Sequence, residues 1–97
     1  MGKVRDKKLA KKYWGLPCRV CGTTYGTVGA HLKTVGAHPR LAKDARNIMP
    51  LCDYHHKEQE QNLAKFVNNY SLDNEMISRG FYYCPYNNDW YLPYQDG

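Results

Sequence analysis

The chain has no apolar run near the roughly 20 residues that a membrane-spanning helix needs, and its start, "MGKVRDKKLAKK", lacks the apolar middle of a secretion signal. A cytoplasmic protein with no membrane partner is expected. The sequence is also poor in pure hydrocarbon aromatics. Two Phe and two Trp stand beside nine Tyr, so most of the aromatic side chains carry a hydroxyl that needs water or a partner. In 97 residues such a core is small, and domains of this size commonly add a metal or disulfides. Acidic residues are scarce in one half only. Residues 1–46 carry eleven Lys and Arg against Asp6 and Asp44, a net +9, while residues 47–97 sum to −4. A basic stripe of this kind suits a polyanion backbone and equally makes a solvated tail.

Four cysteines are present, and in a reducing compartment they read as metal ligands or free thiols. Cys18-x-x-Cys21 and Cys52-x-x-His55 are two knuckles, each placing two soft ligands across a tight turn. Together they match a closed Cys3His zinc site, with Cys84 as the alternative fourth ligand in place of His55. A structural zinc there clamps strands to the start of a helix and supplies folding energy.

Around the knuckles the elements follow from local pattern. Residues 4–14 suit a helix that stops at Gly15 and Pro17. The Thr, Val and Gly content of residues 23–35 favours short strands, residues 36–46 a loop, and residues 47–51 a second strand with Pro50 at an edge. Asp53 caps a helix over 54–69 whose apolar stripe is Leu63, Phe66, Val67 and Tyr70. A short helix follows, from Ser71 or Asp73 to Gly80. The tail "FYYCPYNNDWYLPY" suits a hairpin turning at Asn87-Asn88.

If His55 faces the zinc, His56 is turned about 100° around the helix axis and serves something else. Glu60 lies four residues on, on the same face, so His56 and Glu60 could hold one hard or borderline cation, Mg2+ or Mn2+, or else both are solvated.

The strings "GAHLKTVG", "DARNIMPLC" and "CDYHHKEQE", taken in order over residues 18–70, resemble the HNH endonuclease family, in particular its small phage and prophage members. The resemblance implies a zinc-stapled ββα-metal core over 18–70 and leaves both ends unmatched; with the local patterns it gives an α+β chain with a basic helix and linker over 1–17 and a short helix and aromatic hairpin over 71–97. It implies a metal-dependent DNA endonuclease in which His31 is the general base, Asn47 orients it and His56 holds the catalytic cation. Imidazole suits that chemistry because it titrates near neutral pH. Many HNH enzymes carry Asp or His just before the base, and here that residue is Ala30. The phage relatives have a histidine where this chain has Glu60, with Asp44 and His38 as reserve ligands. Lys33, Arg40, Lys43 and Arg46 lie between base and asparagine, where phosphate contacts are expected. DNA is the expected partner, and the aromatic tail packs on the core, on another copy or on a phage protein, or stacks unpaired bases. The alternative function is a catalytically degenerate module on the same scaffold that binds nucleic acid or protein.

Overall fold

The computed structural model describes residues 7–94. It is a small mixed α+β fold with two two-stranded antiparallel sheets and several short helices. Of the helix expected over 4–14, residues 4–6 lie outside the described residues. The rest is the short α1, Lys7–Lys11, followed by a turn in which Gly15 takes a positive φ of 75°.

The first sheet pairs β1, Val28–His31, with β2, Ile48–Leu51, so that His31 lies opposite Ile48 and Gly29 opposite Pro50. Gly29 is required there by close approach. A Cβ on it would meet the Tyr13 ring at 2.9 Å, so the segment after α1 lies across this strand. Between the strands the expected loop contains two 3-10 turns, residues 39–41 and 45–47.

The single helix expected over 54–69 is two helices, α2, Asp53–Gln61, and α3, Leu63–Asn69. Asn62 separates them with an extended backbone, and its side-chain oxygen accepts the Lys65 N–H at 3.1 Å, capping α3. The physical reason for the break lies in what each half buries. In α3 the apolar Leu63, Ala64, Phe66 and Val67 enter the core, whereas in α2 the buried side chains are His56 and Gln59. Two faces of different chemistry are better served by two axes than by one.

The short α4, Asp73–Ser78, leads into the hairpin of β3, Tyr82–Cys84, and β4, Asp89–Tyr91. Tyr83 pairs with Trp90, and Asn88 turns the chain with a φ of 49°. Phe81, Trp90 and Leu92 join Leu41, Met49, Leu51, Phe66 and Met76 in one core. The aromatic tail therefore packs on the body of the protein through one face. Tyr82, Tyr83 and Tyr86 stay exposed on the hairpin. Among the described residues no helix is long and apolar enough to cross a membrane.

Candidate metal centre and the adjacent cleft

The first knuckle is closed by backbone bonds, Gly22 N–H to Cys18 O at 2.9 Å and Cys18 N–H to Thr23 O at 2.8 Å. Gly22 takes φ +77° to make that turn. The second knuckle lies where β2 runs into α2: Cys52 is the N-cap residue, and its carbonyl accepts the His56 N–H at 2.8 Å. The sheet and the helix start thus bring four donors together. The ligand atoms of Cys18, Cys21, Cys52 and His55 all lie within 4.8 Å of one another.

Their spacing fits zinc. Arms of about 2.3 Å to sulfur in a tetrahedron put two sulfurs about 3.8 Å apart. Cys21 and Cys52 Sγ are 3.8 Å apart, and His55 Nδ1 is 3.2 Å from Cys52 Sγ and 3.7 Å from Cys18 Sγ. Burial pushes the Cys18 thiol up, but backbone bonds from Cys21, Cys52 and Val20 and the Cys21 thiol outweigh it and bring it down to about 6. Burial pushes Cys52 up, and the crowded sulfurs of Cys21 and Cys18 push it further. Three sulfurs so close cannot all be thiolates without a cation among them, which is what a zinc ion supplies. Tyr70 sets its ring edge-on to His55 and donates its hydroxyl to Glu58, and that hydrogen bond, with burial and the carboxylate's charge behind it, pushes the phenol up to about 12. Cys84, the alternative fourth ligand, lies opposite Asp89 in the hairpin and outside this cluster.

His56 diverges from its neighbour as helix geometry requires. It is buried, with Nε2 3.8 Å from Glu60 Oε1. Beside this pair opens a cleft of about 560 Å³, lined in part by His31, Lys33, Gln59, Glu60, Asp89 and Tyr91. His31, the last residue of β1, is buried and donates from Nε2 to the Ala42 carbonyl at 2.8 Å. A carbonyl can only accept, so the Nε2 proton is fixed, and neutral His31 keeps its lone pair on Nδ1. That Nδ1 is buried with no hydrogen-bond partner among the described residues.

The contact to His31 expected of Asn47 is made by Ala42. Asn47 is fully buried and acts on the loop instead: Oδ1 accepts the Lys33 N–H at 2.7 Å, and Nδ2 donates to Lys33 O at 3.0 Å and Leu41 O at 3.4 Å. It closes both ends of the segment whose Ala42 carbonyl holds His31, so its influence on the histidine is indirect.

The four basic loop residues separate into two kinds. Lys33 is buried, with its ammonium 2.8 Å from Asp89 and over the Tyr91 ring, which joins the hairpin to the end of β1. Arg46 is bound to Asp44 at 2.6 Å and to Pro93 O at 3.0 Å. The Arg46 guanidinium holds the Asp44 carboxyl below its ordinary range. Arg40 and Lys43 are exposed, Arg40 over the Tyr94 ring. His38, which also lines the cleft, meets the Tyr94 hydroxyl at 3.2 Å, and Asp44 is committed to Arg46.

For a second cation the Glu60 carboxylate lines the cleft, with the His56 imidazole 3.8 Å from it. Among the described residues these two do not join a third His, Cys, Asp or Glu in a cluster, and Ala30 faces the core with no exposure. Two features of the cleft escaped sequence reading. Gln59 is buried, donates to Leu32 O at 3.1 Å and leaves Oε1 without a hydrogen-bond partner; its position three residues after His56 is the signal that could have found it. The Lys33–Asp89 pair joins residues too far apart in the chain for any local signal. No family model, curated protein or solved structure matches the chain.

Proposed function

We propose that the chain is a metal-dependent DNA endonuclease of the HNH type, with a structural zinc at Cys18, Cys21, Cys52 and His55. The observation that carries the reading is His31, whose Nε2 is fixed on Ala42 O while Nδ1 sits buried and unpartnered beside the cleft. The order β1, β2, α2 around the site is also the order that the ββα-metal resemblance implies.

In this reading His31 Nδ1 takes a proton from the attacking water, and the Ala42 carbonyl steadies the imidazolium that results. The water oxygen bonds to phosphorus as the P–O bond to the leaving oxygen breaks. His56 and Glu60 would hold the divalent cation, Mg2+ or Mn2+, which supplies charge neutralisation at the phosphate and leaving oxygen. Arg40 and Lys43 contact neighbouring phosphates, positioning the duplex without reading its sequence.

The test is plasmid nicking by zinc-loaded protein with Mg2+ or Mn2+ added back after mild chelation. His31→Ala should lower the rate about 100-fold or more with circular dichroism and zinc content unchanged. Absence of cleavage of any nucleic acid under any metal sinks the reading. Ala30, where a second ligand stands in many HNH enzymes, favours one alternative, a degenerate module that binds DNA without cutting it. That module predicts strongly salt-dependent binding and no effect of His56→Ala on affinity.

A further inference from the structure

We infer that the side-chain oxygen of Gln59 is a ligand, beside His56 and Glu60, for a divalent cation in the cleft. The inference deepens the nuclease reading and rests on its second cation. Residues 56, 59 and 60 are spaced i, i+3 and i+4 along α2, so the three side chains share one helix face. Nε2 of His56 and Oε1 of Glu60 are 3.8 Å apart on that face.

Gln59 is 4% exposed. Its amide orientation is fixed by chemistry, because only the nitrogen can donate to the Leu32 carbonyl at 3.1 Å. The oxygen is thereby committed elsewhere, and among the described residues it has no hydrogen-bond partner. Buried acceptors are rarely left unmade. This one belongs to a side chain that lines the same cleft as the Glu60 carboxylate and His31, whose Nδ1 is likewise buried and without a hydrogen-bond partner among the described residues. The Lys33 ammonium that also lines the cleft is taken up by Asp89 at 2.8 Å, so the acceptors on the α2 face call for another electropositive occupant. Amide and carboxylate oxygens with one imidazole form a hard to borderline set, the kind that suits Mg2+ or Mn2+ and leaves coordination positions for water and phosphate. Gln59 would supply the third protein ligand that Ala30 cannot.

The experiment titrates Mn2+ into zinc-loaded protein and follows free Mn2+ by its paramagnetic resonance signal, with zinc content and thermal midpoint as controls. Wild type should bind one Mn2+ beyond its zinc. Gln59→Leu should weaken that binding about 10-fold to 100-fold, with zinc content unchanged, and Gln59→Glu, which keeps an oxygen and adds charge, should bind at least as tightly as wild type. Equal affinity in Gln59→Leu and wild type overturns the assignment, as does a wild type that binds no Mn2+. Should Gln59→Leu lose its fold, Gln59→Glu decides, and weaker binding there overturns it. Plasmid cleavage on the same samples separates the two readings. Mn2+ bound through Gln59 without cleavage sinks the nuclease and keeps the ligand, whereas cleavage with Mn2+ affinity indifferent to Gln59 does the reverse.

Discussion

The two ends of the α2 surface, reached through adjacent histidines, differ in how far the chain alone completes them. Around His55 four donors stand within 4.8 Å of one another, supplied by two tight turns that hold themselves by backbone bonds. Around His56 one carboxylate approaches at 3.8 Å, and the cleft beside it holds two buried acceptors without a hydrogen-bond partner among the described residues, His31 Nδ1 and Gln59 Oε1. A site with four close donors and no open position suits a structural ion, and one with few donors leaves room for water and substrate. The contrast teaches that a one-residue step along a helix is enough to place two imidazoles in different surroundings, because it turns the side chain about 100°.

The largest effect should come from breaking the closed end. A structural zinc contributes about 10–16 kcal/mol of apparent binding energy against a net stability of about 5–15 kcal/mol for a domain. Cys52→Ser, or strong chelation, should therefore abolish the cooperative thermal transition together with the bound zinc; a chain that melts as before without zinc would refute the clamp. Substituting the paired histidines one at a time sharpens the comparison. His55→Ala should lose zinc and fold. His56→Ala should keep both and lose cleavage by about 100-fold or more. If both variants lose zinc, the two ends are one site.

The closed end was legible because its signal is local. C-x-x-C and C-x-x-H each fit within one turn, and only their meeting depended on the fold. The hairpin was legible for a similar reason, with Asn87 and Asn88 at the turn and β-favouring aromatics on both sides of it. The cleft was legible only in part. His31 was singled out by the resemblance and the His56–Glu60 pair by its helical spacing, but the partner that fixes the His31 ring is the Ala42 backbone carbonyl, which no side-chain pattern announces. The break at Asn62 was missed because Leu63, Phe66, Val67 and Tyr70 carry a helical period that does not extend back through residues 53–61. Asn62 itself, a favoured capping residue, was the available signal.

The open end is held together by side-chain contacts across the cleft, so single substitutions there should loosen it without unfolding the protein. Lys33 is the clearest case, its side chain 10% exposed and that of Asp89 32%. Asp89→Asn strands a largely buried ammonium, and the cost should be about 1–2 kcal/mol, below the 3–5 kcal/mol of a fully buried pair. A lowered urea midpoint with zinc retained would show it. No shift in the midpoint would mean that the hairpin is held by Trp90 and Phe81 alone.

The smallest effect concerns the loop that carries the Ala42 carbonyl. Asp44 caps the turn at Arg46 N at 3.0 Å and pairs with the Arg46 guanidinium, whose bonds hold its carboxyl below the ordinary range in spite of burial. A depressed folded pKa means that the unfolded chain binds this proton more readily. The pair's contribution is thus whole above the ordinary carboxylate value of about 3.9 and is lost as pH falls through that value and then the depressed one. Partial solvent screening limits it to about 0.5–1 kcal/mol. Asp44→Asn should be less stable than wild type by this amount, evenly from pH 8 to pH 5, with the gap closing only in stronger acid. Measuring the gap between the two chains removes the zinc loss common to both as the sulfurs protonate. A gap that widens on acidification would reverse the sign and show that Asp44 is not held by Arg46.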